Sequence, residues 1–427
     1  MAAERGLALA VVGGGWAGLA AAVEAVQRGH RVTLFEMAPQ LGGRARSVDG
    51  PVVLDNGQHI LIGAYTETLR LMRAVGVEPA DVLLRTPLRL CDAQGRGLRL
   101  QGGAPLPSFV RGVLSQDAWT FGDRLRLLAV AGGWALRGFD CAADATVESL
   151  ARHLPARVRR DLVEPLCVAA LNTPAAEASG QVFLRVLRDA LFAGPGSSDL
   201  LLPRRRLSAL LPSAAEQWLG RQGAVILPSH RVDSIERRAA GWHVDGQVFD
   251  HVVLAASAAE AARLARPIDA GWSARAAALR YEPIVTVYLR SAGTVLPEPM
   301  LTLAADATHR PAQFVFDLGR LGGEPGLLAF VISGAQPWVE RGAEGIRDAT
   351  QAQARTALGP LLRGALEPLR VLTEKRATFR CTPGLARPGR DIAPGLQAAG
   401  DYVAGPYPAT IEGAVRAGLA AAPAATR

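Results

Sequence analysis

The sequence predicts an α/β protein of two domains, in which one domain is built on a parallel sheet and the other combines helices and strands. Its 427 residues exceed what one hydrophobic core usually organises, which favours two domains. An apolar strand, a glycine-rich turn and an alanine-rich helix follow one another from Leu7 to Arg28. Two further strand patterns, at His251–Ala256 and Gly395–Gly400, lie far along the chain. We therefore expect the parallel sheet to draw strands from distant segments.

The N-terminal segment has the pattern of a dinucleotide-binding turn. The residues Gly13-Gly-Gly-Trp-Ala-Gly18 fit G-x-G-x-x-G between the strand and the helix. Gly13 permits the tight turn, Gly15 lets a pyrophosphate approach the backbone, and Gly18 lets the helix pack against the strand. The first N–H groups of the helix then face the phosphates. We therefore predict a bound dinucleotide here, and the alternative is a glycine-rich turn without a ligand.

An acidic residue follows the second strand at a spacing that suits this turn. The strand Arg31–Phe35 delivers Glu36, which lies 18 residues after Gly18. Its carboxylate can accept hydrogen bonds from ribose hydroxyls, and its charge would repel a 2′-phosphate. The pattern thus favours a dinucleotide that lacks this phosphate.

The residues after Glu36 indicate which dinucleotide is bound. Gly42, Gly43 and Arg44 lie within Leu41-Gly-Gly-Arg-Ala-Arg-Ser47, which resembles the flavoprotein family of amine oxidases and carotenoid desaturases. The resemblance implies FAD as the cofactor, with the glycine pair beside its pyrophosphate and the arginine close by. The alternative is a surface loop with solvated arginines.

A second set of flavin-site residues is expected near the C-terminus. Gly400 and Asp401 end a short strand, and a helix begins near Thr410. By the resemblance, Gly400 brings backbone close to the ribityl chain, and Asp401 binds its hydroxyl or holds the phosphate loop. The N–H groups around Ile411 and Glu412 would face the N1/C2=O edge of the flavin, where the positive end of the helix stabilises negative charge. The alternative is an ordinary capped helix.

One further cofactor contact is expected in the middle of the chain. Arg231–Ile235 has the pattern of a strand. In the flavin amine oxidase group the matching strand places a backbone amide against the adenine, which makes Val232 the candidate residue. The alternative is a sheet strand without a ligand.

Four segments narrow the resemblance to one family. They look like the squalene-associated FAD-dependent desaturases, whose members are hydroxysqualene dehydroxylases of bacterial squalene and hopanoid synthesis. The segments are Asp55–Ile60, Pro165–Pro174, Ser198–Pro203 and Tyr407–Val415. The similarity runs nearly end to end, with small departures at Arg205, Arg206 and Ala417. It implies a Rossmann-like FAD-binding domain of the GR2 or amine oxidase type and a discontinuous α+β substrate domain.

The order of the segments predicts the domain limits. We expect the FAD-binding domain to comprise residues 1–80, 205–265 and 370–427. The substrate-binding domain would comprise residues 81–204 and 266–369.

The resemblance implies the reduction of 12-hydroxysqualene to squalene. The allylic hydroxyl would leave as water after protonation, and reduced flavin would deliver hydride to the allylic cation. His59 is the first candidate for the acid, and Asp55, Tyr407 and Glu412 are weaker ones. For His59 the alternative is a structural hydrogen bond in a hairpin beside the flavin. Three competing functions stay open: a carotenoid or phytoene desaturase-like oxidase, a flavin amine oxidase, and a flavin-binding protein without catalysis.

Composition limits the partners. The net charge is +8 and the charge is carried almost entirely by arginine, but no basic stripe with interleaved aromatics occurs, so nucleic acid is not expected. Four scattered cysteines without ligand spacing predict reduced thiols and no metal site. The sequence shows neither a signal peptide nor a membrane-spanning run, which predicts a cytoplasmic protein or one peripheral to the inner face of the cytoplasmic membrane. We expect a long-chain isoprenoid substrate and association with prenyltransferase-like enzymes of the squalene pathway; the electron donor stays unnamed.

Two central segments are expected to be helical. Ala151–Ala190 has a helical pattern that is interrupted at Glu164–Pro174. Pro105–Phe139 is rich in large apolar residues and could form a helical substrate lid, a monotopic membrane contact, or core-facing helices of the second domain. The arginines interleaved in this segment are Arg111, Arg124, Arg126 and Arg137.

Overall fold

The computed structural model describes residues 6–50 and 52–424, without the side chain of Phe192. The strands that it contains are β1 (Ala8–Val12), β2 (Arg31–Phe35), β3 (Ser47–Val48), β4 (Leu54–Asp55), β5 (Leu61–Ile62), β6 (Leu83–Thr86), β7 (Arg89–Cys91), β8 (Gly97–Arg99), β9 (Leu200–Pro203), β10 (Val225–Leu227), β11 (Ile235–Arg238), β12 (Gly241–Val244), β13 (Gln247–Phe249), β14 (His251–Leu254), β15 (Tyr281–Arg290), β16 (Met300–Thr302), β17 (Phe314–Asp317), β18 (Leu327–Ile332), β19 (Glu367–Phe379), β20 (Asp391–Ala393) and β21 (Leu396–Ala398).

The helices complete the described elements. They are α1 (Trp16–Gln27), α2 (Thr66–Ala74), α3 (Pro79–Val82), α4 (Pro105–Leu114), α5 (Phe121–Leu136), α6 (Val147–Ala151), α7 (Ala156–Val158), α8 (Glu164–Leu171), α9 (Gly180–Phe192), α10 (Leu207–Leu210), α11 (Pro212–Arg221), α12 (Ala258–Ala265), α13 (Ala270–Ala277), α14 (Gln336–Val339), α15 (Gly342–Leu358) and α16 (Ile411–Ala421). A π-helix spans Arg159–Val163, and a 3₁₀ helix spans Gly359–Leu361.

A six-stranded sheet forms the base of the first domain. Its strand order is β10-β2-β1-β14-β21-β20, and every pairing is parallel except the one between β20 and β21. Strands from both ends and the middle of the chain therefore end at one edge of this sheet, as predicted. The carboxyl edge of such a sheet is where nucleotides bind in open α/β folds.

Helix α1 covers this sheet and packs closely against α16. Its alanines are almost completely buried, because small side chains let two helices and a sheet approach one another. At the crossing, a Cβ added to Gly418 would lie 2.1 Å from the carbonyl oxygen of Ala17. The C-terminal helix is thus fixed beside the N-terminal one, which brings the two ends of the chain together.

The second domain is built on an antiparallel sheet of order β16-β17-β18-β15-β19. Alternate residues of β15 point to opposite faces, as expected for a strand. Val285, Val287 and Leu289 pack with residues of α15 on one face. Tyr288 lies on the other face and packs with Leu54, so this face meets the segment of β4.

The α/β class and the assembly of the sheet from distant segments are as predicted. The six-stranded sheet takes strands from residues 8–35, 225–254 and 391–398, whereas the antiparallel sheet takes them from residues 281–379. The exact domain limits stay predictions. One consequence of the topology is that β19 runs on from the antiparallel sheet towards the start of β20, so it connects the two sheets.

The prediction of a strand at Arg231–Ile235 is wrong. The strand β11 begins only at Ile235. The preceding residues form a loop because the Asp245 carboxylate accepts hydrogen bonds from the backbone N–H groups of Asp233 (3.0 Å) and Ser234 (2.9 Å). A side chain thus takes the donors that a sheet partner would otherwise take.

The predicted interruption at Glu164–Pro174 is also wrong for most of its length. The chain stays helical from the π-turn through α8 and leaves the helix at Asn172, which has a left-handed φ of 45°. Pro165 lies in the first turn of α8, directly after the π-helix.

Candidate active site

The turn after β1 requires glycine for steric reasons. Gly13 has a φ of 111° and donates its N–H to the carbonyl of Phe35 at 2.7 Å. A Cβ at Gly18 would lie 1.8 Å from the carbonyl oxygen of Gly13. Both glycines therefore serve the packing of α1 against the sheet, as the motif predicts.

Gly15 differs from its neighbours because it borders open space. A Cβ added there would meet nothing nearer than the Cα of Gly43 at 3.8 Å. Gly15 also pairs with Gly42 in a parallel bridge, and the Gly42 N–H donates to the carbonyl of Gly14 at 2.9 Å. We call the backbone of residues 13–15 and 42–43 the glycine cradle.

The N-terminus of α1 opens onto the glycine cradle. Gly15 is the N-cap and has no side chain to accept hydrogen bonds from the first turn. The N–H groups and the positive dipole end of the helix therefore favour an anionic group in the space beside Gly15. A pyrophosphate fits this position by size and by charge.

Glu36 lies at the end of β2 with both carboxylate oxygens held. One oxygen accepts from the N–H of Gly14 at 2.6 Å, and the other accepts from the N–H of Ala38 at 2.7 Å. The residue is buried. Each oxygen keeps a second lone pair, so the carboxylate is fixed in position and can still accept a hydroxyl of a ribose.

Arg44 connects three segments that are distant in sequence. Its guanidinium lies 2.5 Å from the carboxylate of Asp401 and donates to the carbonyl of Ala377 at 2.7 Å. Burial acts to lower the pKa of Arg44, but the neighbouring acidic groups, Asp401 foremost and then Tyr281 and Glu374, together raise it above its ordinary value. The ion pair joins the loop after β2 to the loop after β21.

The loop between Gly400 and α16 is sharply folded. A Cβ at Gly400 would lie 2.5 Å from the ring of Tyr402, and one at Gly413 would lie 1.8 Å from the carbonyl oxygen of Tyr407. Thr410 caps α16 by accepting the N–H of Gly413 at 2.9 Å. The first turn of α16, which starts at Ile411, therefore presents its N-terminal N–H groups at the end of this loop.

The side chain of Glu412 is completely buried and joins α16 to α2 by hydrogen bonds. Its carboxylate accepts from the N–H of Glu67 (3.1 Å), and from the N–H and hydroxyl of Thr68 (2.9 and 2.6 Å). Arg416 Nε donates to the same carboxylate at 2.7 Å. These bonds fix the N-terminus of α2 to α16, so the proposed cofactor contact of Glu412 concerns its backbone N–H only.

Val232 is buried on the loop before β11, and its carbonyl accepts a hydrogen bond from Arg263 at 2.6 Å. This bond fixes the loop against α12. The contact of its amide with adenine stays a prediction, now on a loop rather than in a strand.

Asp55 and His59 belong to one half-buried loop but have different partners. The Asp55 carboxylate accepts from the hydroxyl of Ser47 (2.9 Å) and the N–H of Leu207 (3.0 Å), and burial raises its pKa. His59 Nε2 lies 3.1 Å from the carbonyl of Asn56, so this nitrogen carries the hydrogen. Burial lowers the pKa of His59, which favours a neutral ring.

Tyr288 of β15 and Glu374 of β19, which no sequence motif indicated, hold this loop. The Tyr288 hydroxyl donates to the carbonyl of Asp55 at 2.7 Å and accepts from Gln58 at 3.1 Å. The Asn56 amide donates to the carbonyl of Arg44 at 2.9 Å and to Glu374 at 3.1 Å. The strands β15 and β19 thus position the loop from the second domain, and no sequence motif announces these contacts.

Tyr407 lies among charged side chains. Its ring is 5.0 Å from the guanidinium carbon of Arg416 and 5.8 Å from that of Arg185. Burial raises the pKa of its hydroxyl, and Asp189 raises it further. It also lines a groove of about 650 Å³ beside α16. These contacts connect α9 to α16, and a role of Tyr407 in proton transfer stays a prediction.

An apolar cluster borders the loop of Asp55 and His59. Leu54 belongs to it, and Ile60 packs against it, so the polar loop is flanked on both sides by apolar residues. The remaining members come mainly from β9 and the antiparallel sheet. They are Leu200, Leu202, Tyr288, Met300, Phe314, Phe316, Leu321, Leu327, Ala329 and Val331.

Acidification is expected to destabilise the protein partly through His59. The lowered pKa in the folded state means that the unfolded state binds this proton more readily, so the free energy of unfolding should fall as the pH drops below about 6.5. Urea unfolding between about pH 8 and pH 5 should show a smaller fall for His59→Gln than for the wild type. The exposed His309 provides the control, since His309→Gln should keep the wild-type pH dependence. Equal pH dependence in both variants would contradict this assignment.

Two features are not found among the described residues. Within residues 6–50 and 52–424, no group of three or more His, Cys, Asp or Glu side chains is placed to hold a metal ion. No helix in the same ranges is long and apolar enough to span a bilayer.

Comparison with known proteins identifies the family. The model of the family described as flavin containing amine oxidoreductase matches residues 16–426. The chain belongs to this family. It is therefore a flavin-dependent oxidoreductase.

Two curated relatives are similar to this chain over almost its whole length. The chain is 29% identical over 442 residues to a hydroxysqualene dehydroxylase of Sinorhizobium fredii, covering 96% of each chain. It is 29% identical over 433 residues to one of Rhodopseudomonas palustris, again with 96% of each covered. The predicted resemblance to this family is confirmed.

A solved structure confirms the fold. An oxidoreductase from Methanosarcina mazei superposes with a TM-score of 0.73 at 16% identity, covering 97% of this chain and 99% of the other. The α/β architecture is thus shared along nearly the whole length of both chains.

Proposed function

We propose that this flavoprotein reduces 12-hydroxysqualene to squalene with FAD as its cofactor, as part of bacterial squalene and hopanoid synthesis. The observation that carries the proposal is the placement of the His59 loop. On one side Asn56 ties it to Arg44 and so to the glycine cradle, and on the other side it meets the apolar cluster around Tyr288. The proposed flavin site and the apolar cluster are therefore joined by a short polar loop.

The residues present fit FAD. The space at Gly15 suits a pyrophosphate, the fixed Glu36 carboxylate suits a ribose, and the start of α16 suits the electron-rich edge of a flavin. These three positions lie on segments that the Arg44–Asp401 ion pair holds together. When bound in its reduced form, FAD supplies hydride to the carbon that loses the hydroxyl.

A residue of the chain itself must supply the proton with which the hydroxyl leaves as water. In the overall reaction the alcohol takes up one proton and one hydride and releases water. His59 is our candidate for the proton, because Nε2 is engaged by Asn56 and leaves Nδ1 to hold it. Since burial lowers the pKa of His59, its protonated form is a stronger acid than a free imidazolium. Asp55 is engaged by Ser47 and Leu207, which assigns it a positioning role in the same loop.

The apolar surroundings serve the same chemistry. A carbocation in the allylic chain would be captured by water, so the site has to exclude solvent. The partly buried residues that pack against the apolar cluster, such as Ile60 and Ile284, offer no competing nucleophile. In the proposed complex the isoprenoid lies against these side chains with its hydroxyl towards the loop.

Anaerobic mixing of the reduced protein with 12-hydroxysqualene tests the proposal. We expect the flavin to reoxidise and squalene to form in equal amount. A protein that stays reduced with this alcohol, but that oxidises phytoene or an amine when oxygen is present, would contradict the proposal and support a desaturase or an amine oxidase. In the same assay His59→Ala, with full flavin content, should reoxidise more slowly. An unchanged rate would remove His59 from proton transfer.

A further inference from the structure

The helices α4 and α5 expose an unusual concentration of apolar side chains. Of the nine large apolar side chains that the described residues expose, five lie in these two helices. They are Leu106, Leu114, Phe121, Leu125 and Leu136. Scattered exposed leucines need no explanation, but a cluster of them on adjacent helices marks a surface that contacts something apolar.

On α5 these side chains form one continuous stripe. Phe121, Leu125, Ala129, Gly132 and Leu136 are all exposed and are spaced by three or four residues, so they lie on one face of the helix. The exposed fractions are 67% at Phe121, 47% at Leu125 and 92% at Leu136. We call this stripe, together with the exposed leucines of α4, the apolar face.

The opposite side of α5 is already buried. Leu127 and Trp134 pack into the main core with Phe109 and Val113 of α4. A helix with apolar side chains on two opposite sides normally contacts protein or lipid on both of them. The expectation of core-facing helices is therefore correct for one side only, and the other side needs a different environment.

The two helices are held in a fixed arrangement. Arg124 donates to the carbonyl of Leu114 at 2.8 Å and to that of Trp119 at 3.2 Å. Thr120 and Asp123 form a capping box that fixes the start of α5. The C-terminal turn of α4 therefore stays beside the N-terminal turn of α5, and the apolar face does not depend on a flexible segment.

The charges around the apolar face are mainly positive. Arg126 and Arg137 each follow a leucine of the stripe by one residue, which places them about 100° around the helix at its edge. Arg111 is exposed on α4 and borders a groove of about 510 Å³ with Leu106 and Leu114. Two exposed acidic residues, Asp117 and Asp140, lie in the segments that follow α4 and α5.

We propose that the apolar face docks onto the surface of a membrane that contains anionic lipids. Phe121, Leu125 and Leu136 would enter the boundary between headgroups and acyl chains. The guanidinium groups of Arg126 and Arg137 would stay at the headgroups, where each basic residue strengthens binding to an anionic surface. The proposal rests on this surface alone, and only its value for delivering an apolar substrate depends on the proposed function.

Vesicle sedimentation of the full-length holoprotein tests the docking. We expect binding to vesicles of phosphatidylcholine mixed with phosphatidylglycerol, weaker binding to phosphatidylcholine alone, and release at high salt. The variant F121S/L125S/L136S should bind about a hundredfold less, because it removes three exposed apolar side chains. The variant R126S/R137S should bind about tenfold less to the anionic vesicles only.

Matched controls separate docking from general surface effects. Val248 and Val295 are similarly exposed but lie elsewhere, so V248S/V295S should bind like the wild type. Wild-type binding by F121S/L125S/L136S, or no binding of the wild type to any vesicle, would overturn the proposal. The proposal would also be overturned if light scattering showed a dimer of the wild type that the triple variant does not form, because the apolar face would then contact a second copy. Detergent-dispersed 12-hydroxysqualene should be turned over equally by the wild type and the triple variant, which keeps this test independent of the proposed reaction.

Discussion

Replacing Gly15 with valine should abolish flavin binding without unfolding the protein. Gly15 has an extended backbone with φ −73°, which any residue adopts, and a Cβ there meets no atom nearer than 3.8 Å. The added side chain would nevertheless occupy the space assigned to the pyrophosphate. Loss of two charge-assisted hydrogen bonds at about 1.5–3 kcal/mol each corresponds to an affinity for FAD at least about a hundredfold lower.

Calorimetric titration of the apoprotein with FAD measures this loss, and thermal unfolding of the apoprotein checks the fold. Gly102→Val is the matched control, since Gly102 is exposed with no atom near its Cβ position, and it should bind FAD normally. Gly18→Val should instead unfold the protein, because its Cβ would collide with the carbonyl of Gly13. Normal FAD affinity in Gly15→Val would show that the pyrophosphate does not lie in the glycine cradle.

Glu412→Gln is expected to lower the free energy of unfolding by about 3 kcal/mol, since breaking a buried pair leaves unsatisfied groups behind. The carboxylate serves two backbone N–H groups, the Thr68 hydroxyl and Arg416. An amide of the same size offers only one acceptor oxygen and brings two donors towards other donors.

Urea unfolding of Glu412→Gln measures this effect. Glu344→Gln, an exposed position in the first turn of α15, should change the free energy of unfolding little. If Glu412→Gln were as stable as the wild type but slower in turnover, the carboxylate would belong to the chemistry rather than to the junction of α2 and α16. That result would contradict the structural role assigned here.

The glycine cradle could be predicted from sequence because its function depends on local rules. Gly13, Gly15 and Gly18 are spaced by the geometry of a strand–turn–helix unit, and Glu36 follows at the end of the next strand. The convergence with Gly400 and Asp401 was predictable only through the family resemblance. The sequence around Arg44 and around Asp401 does not indicate that these two residues form an ion pair.

Side-chain roles that depend on tertiary contacts could not be predicted. The burial of Glu412 against α2 depends on how α16 crosses the sheet, and the position of Tyr407 depends on arginines from two helices. The loop at Val232 could not be predicted because Asp245, which directly follows β12, binds the backbone N–H groups of the neighbouring Asp233 and Ser234. Periodicity describes which side of an element is apolar, but not which polar group finds a partner.

The environment of α4 and α5 is a further feature that the sequence did not determine. Their apolar content predicted helices, but the alternatives of core, lid and membrane contact could not be distinguished from the sequence alone. The structure buries Trp134 and leaves Leu136 almost fully exposed on the same helix. Two apolar sides of one helix therefore have different environments, which a hydrophobicity pattern alone does not distinguish.

The two ends of the chain are proposed to form one FAD site. Purified, folded apoprotein should be titrated with FAD and followed by calorimetry and by visible absorbance. We expect one FAD per chain and a yellow protein after removal of free cofactor. A colourless protein without measurable heat of binding would show that the two ends form no such site.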